Sequence, residues 1–479
     1  MNSEDLFPKY RTEMEYVCQD CSSRYSAREL HYTCPSCGGV FMLRDKNFPS
    51  LAEYSGKYWQ EVFDSRAASK DPALKGIFRF YELIAPMLER EDIVWLGEAQ
   101  TPIINATCKL KSKLGVDFAF KNDGQNPSAS FKDRGMACAF SYLQSMLRQK
   151  GWDQILTVCA STGDTSASAA MYAAYVGDPI KSVVLLPQGK VTPQQLSQPL
   201  GSGARVLELP GYFDECMLVV EYLADNYRVA LLNSKNSWRI LGQESYAYEI
   251  AQWYDWDLSG KVIYLPIGNA GNISAVLSGF LKMYKLNIIN TLPRVMGVQS
   301  SHADPVYRFY RQAGENGQYR PVDVQPSVAQ AAMIGNPVSF PRVRNLVDEY
   351  KSLGGEGSFS AIQVEEQEII EGMILANKFG HIACTQGGEC LAGLWKSKSL
   401  GLIESGETAV LDATAHSLKF QKFQEMYFDA NFPPEYEIKP KPEYMNRPEA
   451  ILSEKTRDSL QKKEYIVQSA REIVQKLGL

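Results

Sequence analysis

Residues 155–186 read ILTVCASTGDTSASAAMYAAYVGDPIKSVVLL. Ile155 to Cys159 is a short apolar run of the kind buried on both faces of a sheet. Thr165 to Val176 is a helix of small residues that stops at Gly177, and Ser182 to Leu186 is a second apolar run. Strand, helix and strand over so short a span make one parallel crossover. The alternation extends in both directions. Upstream, Val116 to Lys121 alternates like a strand and Asp133 to Lys150 reads as a helix ended by Gly151. Downstream, Thr192-Pro193 supplies a cap and a first-turn proline for a helix ending near Gly201. Strands at Val206 to Leu209, Val229 to Leu232, Val262 to Leu265 and Val295 to Gln299 follow, with helices opening at Phe213, Gln243 and Ile273. Strands spaced by helices in this way predict an α/β fold whose parallel sheet is covered on both faces.

In such a sheet, ligands bind beyond the carboxyl ends of the strands, where loops lead into helices. Three of these loops carry polar chemistry. The stretch Asn126 to Gly135, NPSASFKDRG, places Lys132 at a helix start, where the positive end of the helix disfavours a second cation. That position suits a lysine used as a neutral amine, for covalent attachment and then as a base; on its own it would be an ordinary surface lysine. In Ala160 to Ser166, ASTGDTS, the hydroxyls and amides of Ser161, Thr162, Gly163 and Thr165 could clamp a carboxylate or merely cap a helix. The third loop is Gly268-Asn269-Ala270-Gly271-Asn272, whose glycines let backbone amides close on an anion. It is neither a Gly-x-Gly-x-x-Gly loop nor a Walker loop, since Gly-Lys is nowhere followed by Ser or Thr.

Near the N-terminus, Cys18-x-x-Cys21 and Cys34-Pro-x-Cys37 frame a twelve-residue gap. Two such knuckles offer four thiolates, a tetrahedral zinc shell; four free surface cysteines are the plain alternative. The other six cysteines are scattered, as in a reducing compartment with no disulfide framework. A net charge of -5 argues against nucleic acid as a partner. No apolar run nears the roughly 20 residues that cross a bilayer. The polar, acidic start lacks a signal pattern, so a cytoplasmic location is expected. The chain is expected to divide into a zinc ribbon (14–45), a mostly helical segment (46–100), an α/β domain (101–428), and a strap with a closing helix (429–479).

One lysine, one carboxylate clamp and one phosphate nest, in that order, are the parts of a pyridoxal-phosphate amino-acid enzyme. The runs SFKDRG, CASTGDTSA and GNAGN resemble the corresponding loops of the threonine synthase family, in fold type II (tryptophan synthase β-like). Other stretches match in register: Pro187 to Val191, Asn233-Ser234 with Trp238-Arg239 and Gly242-Gln243, Ile334 to Ser339 (IGNPVS), and Thr414 to Phe420 (TAHSLKF). The resemblance spans about residues 95–425. It implies two doubly wound sheet domains and pyridoxal 5'-phosphate held as a Schiff base on Lys132. The cofactor phosphate would sit on Gly268, Asn269, Ala270, Gly271 and Asn272, with Thr414 at the pyridine nitrogen and Asp164 at the 3'-oxygen. Ser161, Thr162, Gly163 and Thr165 would take the substrate carboxylate, and Arg134, Asn233, Ser234 and Arg239 the departing phosphate.

The implied reaction is γ-elimination of phosphate from O-phospho-L-homoserine, then addition of water at Cβ to give L-threonine. The expected partner is this small phosphorylated amino acid; a homodimer and activation by S-adenosylmethionine are left open. Two alternatives stand beside it: β-replacement on O-phosphoserine with sulfite, as in cysteate synthase, and a non-catalytic relative whose ribbon binds a partner. The chain departs from the family pattern at Ala129 and Ser417, which replace glycines, and in Cys384 to Glu389. There Glu389 is expected as a capping charge at a helix start. The ribbon is expected to be structural and dispensable for the chemistry.

Overall fold

The computed structural model describes residues 7–161, 163–188, 193–210, 213–311 and 317–478. Thr162 of the expected carboxylate clamp, Gly189 to Val191 of the matched loop and the expected cap Thr192 lie outside them.

Within these residues the apolar runs form two mainly parallel sheets. The larger has the order Phe359–Val364, Arg294–Ser300, Lys261–Pro266, Thr408–Asp412, Asp117–Lys121, Ile103–Asn105. All its neighbours are parallel except the edge strand Ile103–Asn105, which runs antiparallel. The smaller is fully parallel, in the order Arg205–Leu209, Ile180–Pro187, Ile155–Ala160, Val229–Leu231. Central strands are buried on both faces, as Val262 to Pro266 are, which is why they read as continuous apolar runs. The helix predicted from Gln243 starts earlier, at Ser237. Asn236 Oδ1 caps it, accepting from Trp238 N at 2.9 Å and Arg239 N at 3.2 Å; the helix ends at Gln243 and a new one runs Ser245–Trp253.

Residues 46–100 depart from the helical expectation. Gly56–Ala67 is their one long helix, and the rest is 3-10 turns and the single turn Tyr81–Ile84. Pro49 and Pro72 open short 3-10 turns and Pro86 follows the turn Tyr81–Ile84, so no longer helix can run through any of these positions. Past residue 428 the strap is tied to the body by Lys439 N donating to Gln367 Oε1 (2.7 Å) and by Lys441 pairing with Glu371 (2.8 Å). No helix of the described residues is long and apolar enough to cross a membrane.

The ribbon is a three-stranded antiparallel sheet, Arg24–Ser26, Met14–Cys18 and Phe41–Asp45, with Cys18 directly opposite Phe41. It is no loose appendage. Met14, Tyr16, Phe41 and Leu43 belong to the same buried core as Phe140 and Trp238. Trp238 stacks on Tyr142 (centroids 4.1 Å apart) and donates from Nε1 to Tyr16 Oη at 3.0 Å.

Candidate active site

A cleft opens at the carboxyl ends of Lys261–Pro266 and Thr408–Asp412. Lys132 enters it as the first residue of the helix Lys132–Lys150. This helix crosses Ser237–Gln243 at very close range because both carry glycine at the contact. A Cβ on Gly135 would lie 2.9 Å from Arg239 O, and one on Gly242 would lie 2.2 Å from Arg134 O. The glycines of FKDRG and of the Gly-Gln pair are therefore a packing requirement that brings Lys132 beside Arg239. Burial, reinforced by the Arg239 cation and opposed by Asp164 and Asp412, pulls the Lys132 amine down to about 7. An amine so poised is largely free base just above neutrality.

The two arginines of these helices have opposite fates. Arg134, expected at the departing phosphate, is fully buried away from the cleft. Its guanidinium is saturated by Asp123 (2.8 Å), Glu249 (2.8 Å), Ser245 Oγ and Thr101 Oγ1 (3.0 Å each), so no donor remains for a ligand. Arg239 lines the cleft. It donates from Nη1 to Leu232 O at 2.7 Å, its Nε has no partner, and it pairs with no described carboxylate.

Gly268 to Asn272 connect the strand Lys261–Pro266 to the helix Gly271–Lys285. A Cβ on Gly268 would come within 2.8 Å of Ala332 Cα, and one on Gly271 within 3.0 Å of Ile240 Cδ1. Ala270 sits at φ +60°, in the left-handed region, turning the chain so that successive amides open the helix. Ser339 N, from the IGNPVS stretch, donates to Asn269 O at 3.1 Å and pins the loop. Asn272 Nδ2 donates to Asp412 Oδ2 at 2.8 Å, while its buried Oδ1 lacks a partner. An amide-rich turn at a helix start, with a cradle that any side chain would fill, fits a phosphate group.

Asp164 opens the helix Asp164–Val176 and lines the cleft. Lys419, from the TAHSLKF stretch, reaches it at 2.7 Å and also donates to Ser128 O at 2.9 Å. Thr414 lines the cleft, accepts from Phe131 N at 2.8 Å through its carbonyl, and has its Oγ1 3.5 Å from Cys384 Sγ. Ser234 is also at the wall. Asn233 is not free for a ligand: its amide brackets Ala160, accepting from N at 3.1 Å and donating to O at 2.7 Å. It thereby fixes the turn carrying Ser161, whose Oγ accepts from Gly163 N at 3.3 Å, and Thr165 follows Asp164 in the helix. Ala129 has φ +64°, the reason a glycine is favoured there.

The 384–389 departure yields a residue that pattern reading missed. Gln386 lines the cleft, is 3% exposed, and neither its amide oxygen nor its nitrogen has a partner. Glu389 does not cap the helix. It lies a turn inside Thr385–Ser399, fully buried, where desolvation, reinforced by Glu366, pushes its carboxyl well above the usual carboxylate range.

The lysine, the anion loop and the Thr414 wall fit a pyridoxal-phosphate enzyme of fold type II, and the family model for the pyridoxal-phosphate dependent enzymes matches residues 94–414. The threonine synthase of Methanocaldococcus jannaschii is 34% identical over 84% of this chain and 92% of its own length. Threonine synthase 2, chloroplastic, of Arabidopsis thaliana is 32% identical over 85% and 77%. The solved threonine synthase of Escherichia coli superposes with a TM-score of 0.62 at 20% identity, covering 86% of this chain and 91% of that one. The yeast enzyme gives 0.60 at 18% identity, covering 91% and 94%. The chain belongs to the threonine synthase family.

Proposed function

We propose that the chain converts O-phospho-L-homoserine and water to L-threonine and phosphate. Pyridoxal 5'-phosphate, when bound, would supply the electron withdrawal that loosens protons next to the substrate amine. Lys132 would carry it, Gly268 to Asn272 would hold its phosphate, and Asp164, Thr414 and Lys419 would frame its ring. Lys132 Nζ, close to neutral, would take the proton from Cα and move protons at Cβ and Cγ. The loop at Ser161 to Thr165 would hold the substrate carboxylate.

The observation that carries the reading is Arg239: a buried guanidinium with an unpartnered Nε and no described counter-ion, facing the cleft that the amide-rich loop Gly268 to Asn272 also lines. A buried cation without a partner is costly unless an anion arrives, and the leaving phosphate is that anion. Ser234 would add a hydroxyl. The test is amino-acid and phosphate analysis of the enzyme with O-phosphohomoserine, and separately with O-phosphoserine plus sulfite. Threonine is expected from the first and negligible cysteate from the second. Arg239→Gln should lower kcat/KM on O-phosphohomoserine by roughly a hundredfold, about 3 kcal/mol. Cysteate forming faster than threonine would overturn the substrate assignment.

The sulfurs of Cys18, Cys21, Cys34 and Cys37 lie within 4.8 Å of one another, close enough to share one tetrahedral ion. We assign this cluster to a structural Zn²⁺.

A further inference from the structure

Arg342 is completely buried in the helix Phe340–Gly354, and burial draws its guanidinium down to about 9. Yet it has no described carboxylate. Its bonds go to three separate parts of the molecule. Nε donates to Phe41 O at 2.7 Å, in the ribbon. Nη1 donates to Ser234 O at 2.8 Å, and Nη2 to Lys235 O at 3.0 Å and Ser237 Oγ at 3.4 Å, all around the turn that leads to Arg239. Nη1 also donates to Ser339 Oγ at 2.8 Å, the residue whose own N–H pins Asn269 of the anion loop.

Each contact has a counterpart that extends the connection. Phe41 pairs with Cys18 across the ribbon sheet, and Ser237 Oγ donates to the same Phe41 oxygen at 2.9 Å. One turn along the Arg342 helix, Asn345 Nδ2 donates at 2.8 Å to Gln19 O, inside the first cysteine knuckle. The short helix bearing Arg239 thus lies between the ribbon and the cleft, with Trp238 facing Tyr16 and Arg239 facing the ligand space. A guanidinium is planar and rigid, so its donors cannot follow one acceptor without leaving another. Displacing Phe41 therefore strains the bonds to Ser234 and Ser339 together.

We propose that Arg342 is a positioning residue that ties the metal state of the ribbon to both anion sites of the cleft. The ribbon is then a working part of the site, not a dispensable appendage. The proposal rests on the zinc and substrate assignments above, and its test separates their failure from its own.

The experiment uses the cofactor-loaded, full-length enzyme. Zinc content and threonine formation are measured first; absence of either would overturn the earlier assignments and, with them, this one. Zinc is then removed by chelation from the wild type and from Arg342→Met, and three quantities are followed: cofactor dissociation by absorbance, KM for O-phosphohomoserine, and kcat. In the wild type, metal loss is expected to raise the cofactor Kd and KM roughly tenfold, with a smaller change in kcat. In Arg342→Met these constants should already be raised, and chelation should add less than about twofold, because the two changes break one connection. Effects that multiply, or a wild type indifferent to metal loss, would overturn the proposal. Should Arg342→Met not fold, Ser339→Ala removes only the link to the anion loop. It should weaken cofactor binding and shrink the effect of zinc removal on it, since coupling between two sites is reciprocal, and unaltered cofactor binding would count against the proposal.

Discussion

Lys419 Nζ lies 2.7 Å from Asp164 Oδ1, so a residue beyond the last strand of the large sheet closes on the first turn of a helix from the small one. The pair sits at the cleft wall, with the Asp164 side chain only 8% exposed. Lys419 also contributes to holding the Lys132 amine low, although burial and Arg239 contribute more. Lys419→Met removes one repelling cation and frees Asp164 to attract the Lys132 ammonium. The Lys132 pKa should rise by about one unit. The check is the pH midpoint for capture of pyridoxal phosphate by cofactor-free protein, which should move to higher pH in the variant. An unchanged midpoint would mean that the pair is screened from Lys132.

The Lys132 pKa itself fixes the pH dependence of that capture. A lysine lowered to about 7 is protonated below that pH and free base above it. Only the free base attacks a carbonyl, so the rate should climb between roughly pH 6 and 8 and then level off. An ordinary lysine would keep climbing toward pH 10. Borohydride reduction followed by peptide mass spectrometry should find the cofactor on Lys132. An adduct at another lysine would refute the assignment.

Arg134 and Arg239 should respond in opposite ways to mutation. Arg134→Met leaves Asp123 and Glu249 buried without their principal cation. The loss of stability should be about 3–5 kcal/mol, read from urea unfolding, with comparable turnover per folded molecule. Arg239→Gln should leave stability nearly unchanged and act on KM and kcat. If Arg134→Met spared stability and abolished phosphate release, the guanidinium would belong to the reaction after all.

Gln386 is buried, lines the cleft, and satisfies neither end of its amide in the protein. Gln386→Leu should be neutral or mildly stabilising to the fold, since it removes two unsatisfied groups. On O-phosphohomoserine it should raise KM roughly tenfold, equivalent to about 1.4 kcal/mol. Steady-state kinetics beside a thermal unfolding curve decide the point. A variant less stable but unchanged in KM would make Gln386 a packing residue.

The strands and helices around residues 155–186, the helix-start lysine, the glycine turn at 268–272 and the two cysteine pairs were legible locally. Each is a pattern of residue types a few positions apart, and each acts through its own backbone. What the sequence could not divide was the set of residues attached to those patterns. Arg134 and Arg239 sit at similar places in two glycine-bearing runs. One is consumed by Glu249, more than a hundred residues away, and the other is left facing the cleft. Lys419 finds Asp164, and Glu389 is drawn inside a helix it was expected to cap, for the same reason. The ribbon's spacing pointed to a cluster of four cysteines but not that Phe41 would meet Arg342. Spacing along the chain determined which groups could do chemistry here. Only the packing of distant segments decided which of their donors were already taken, because a hydrogen bond made to a buried partner is one no longer offered to a ligand.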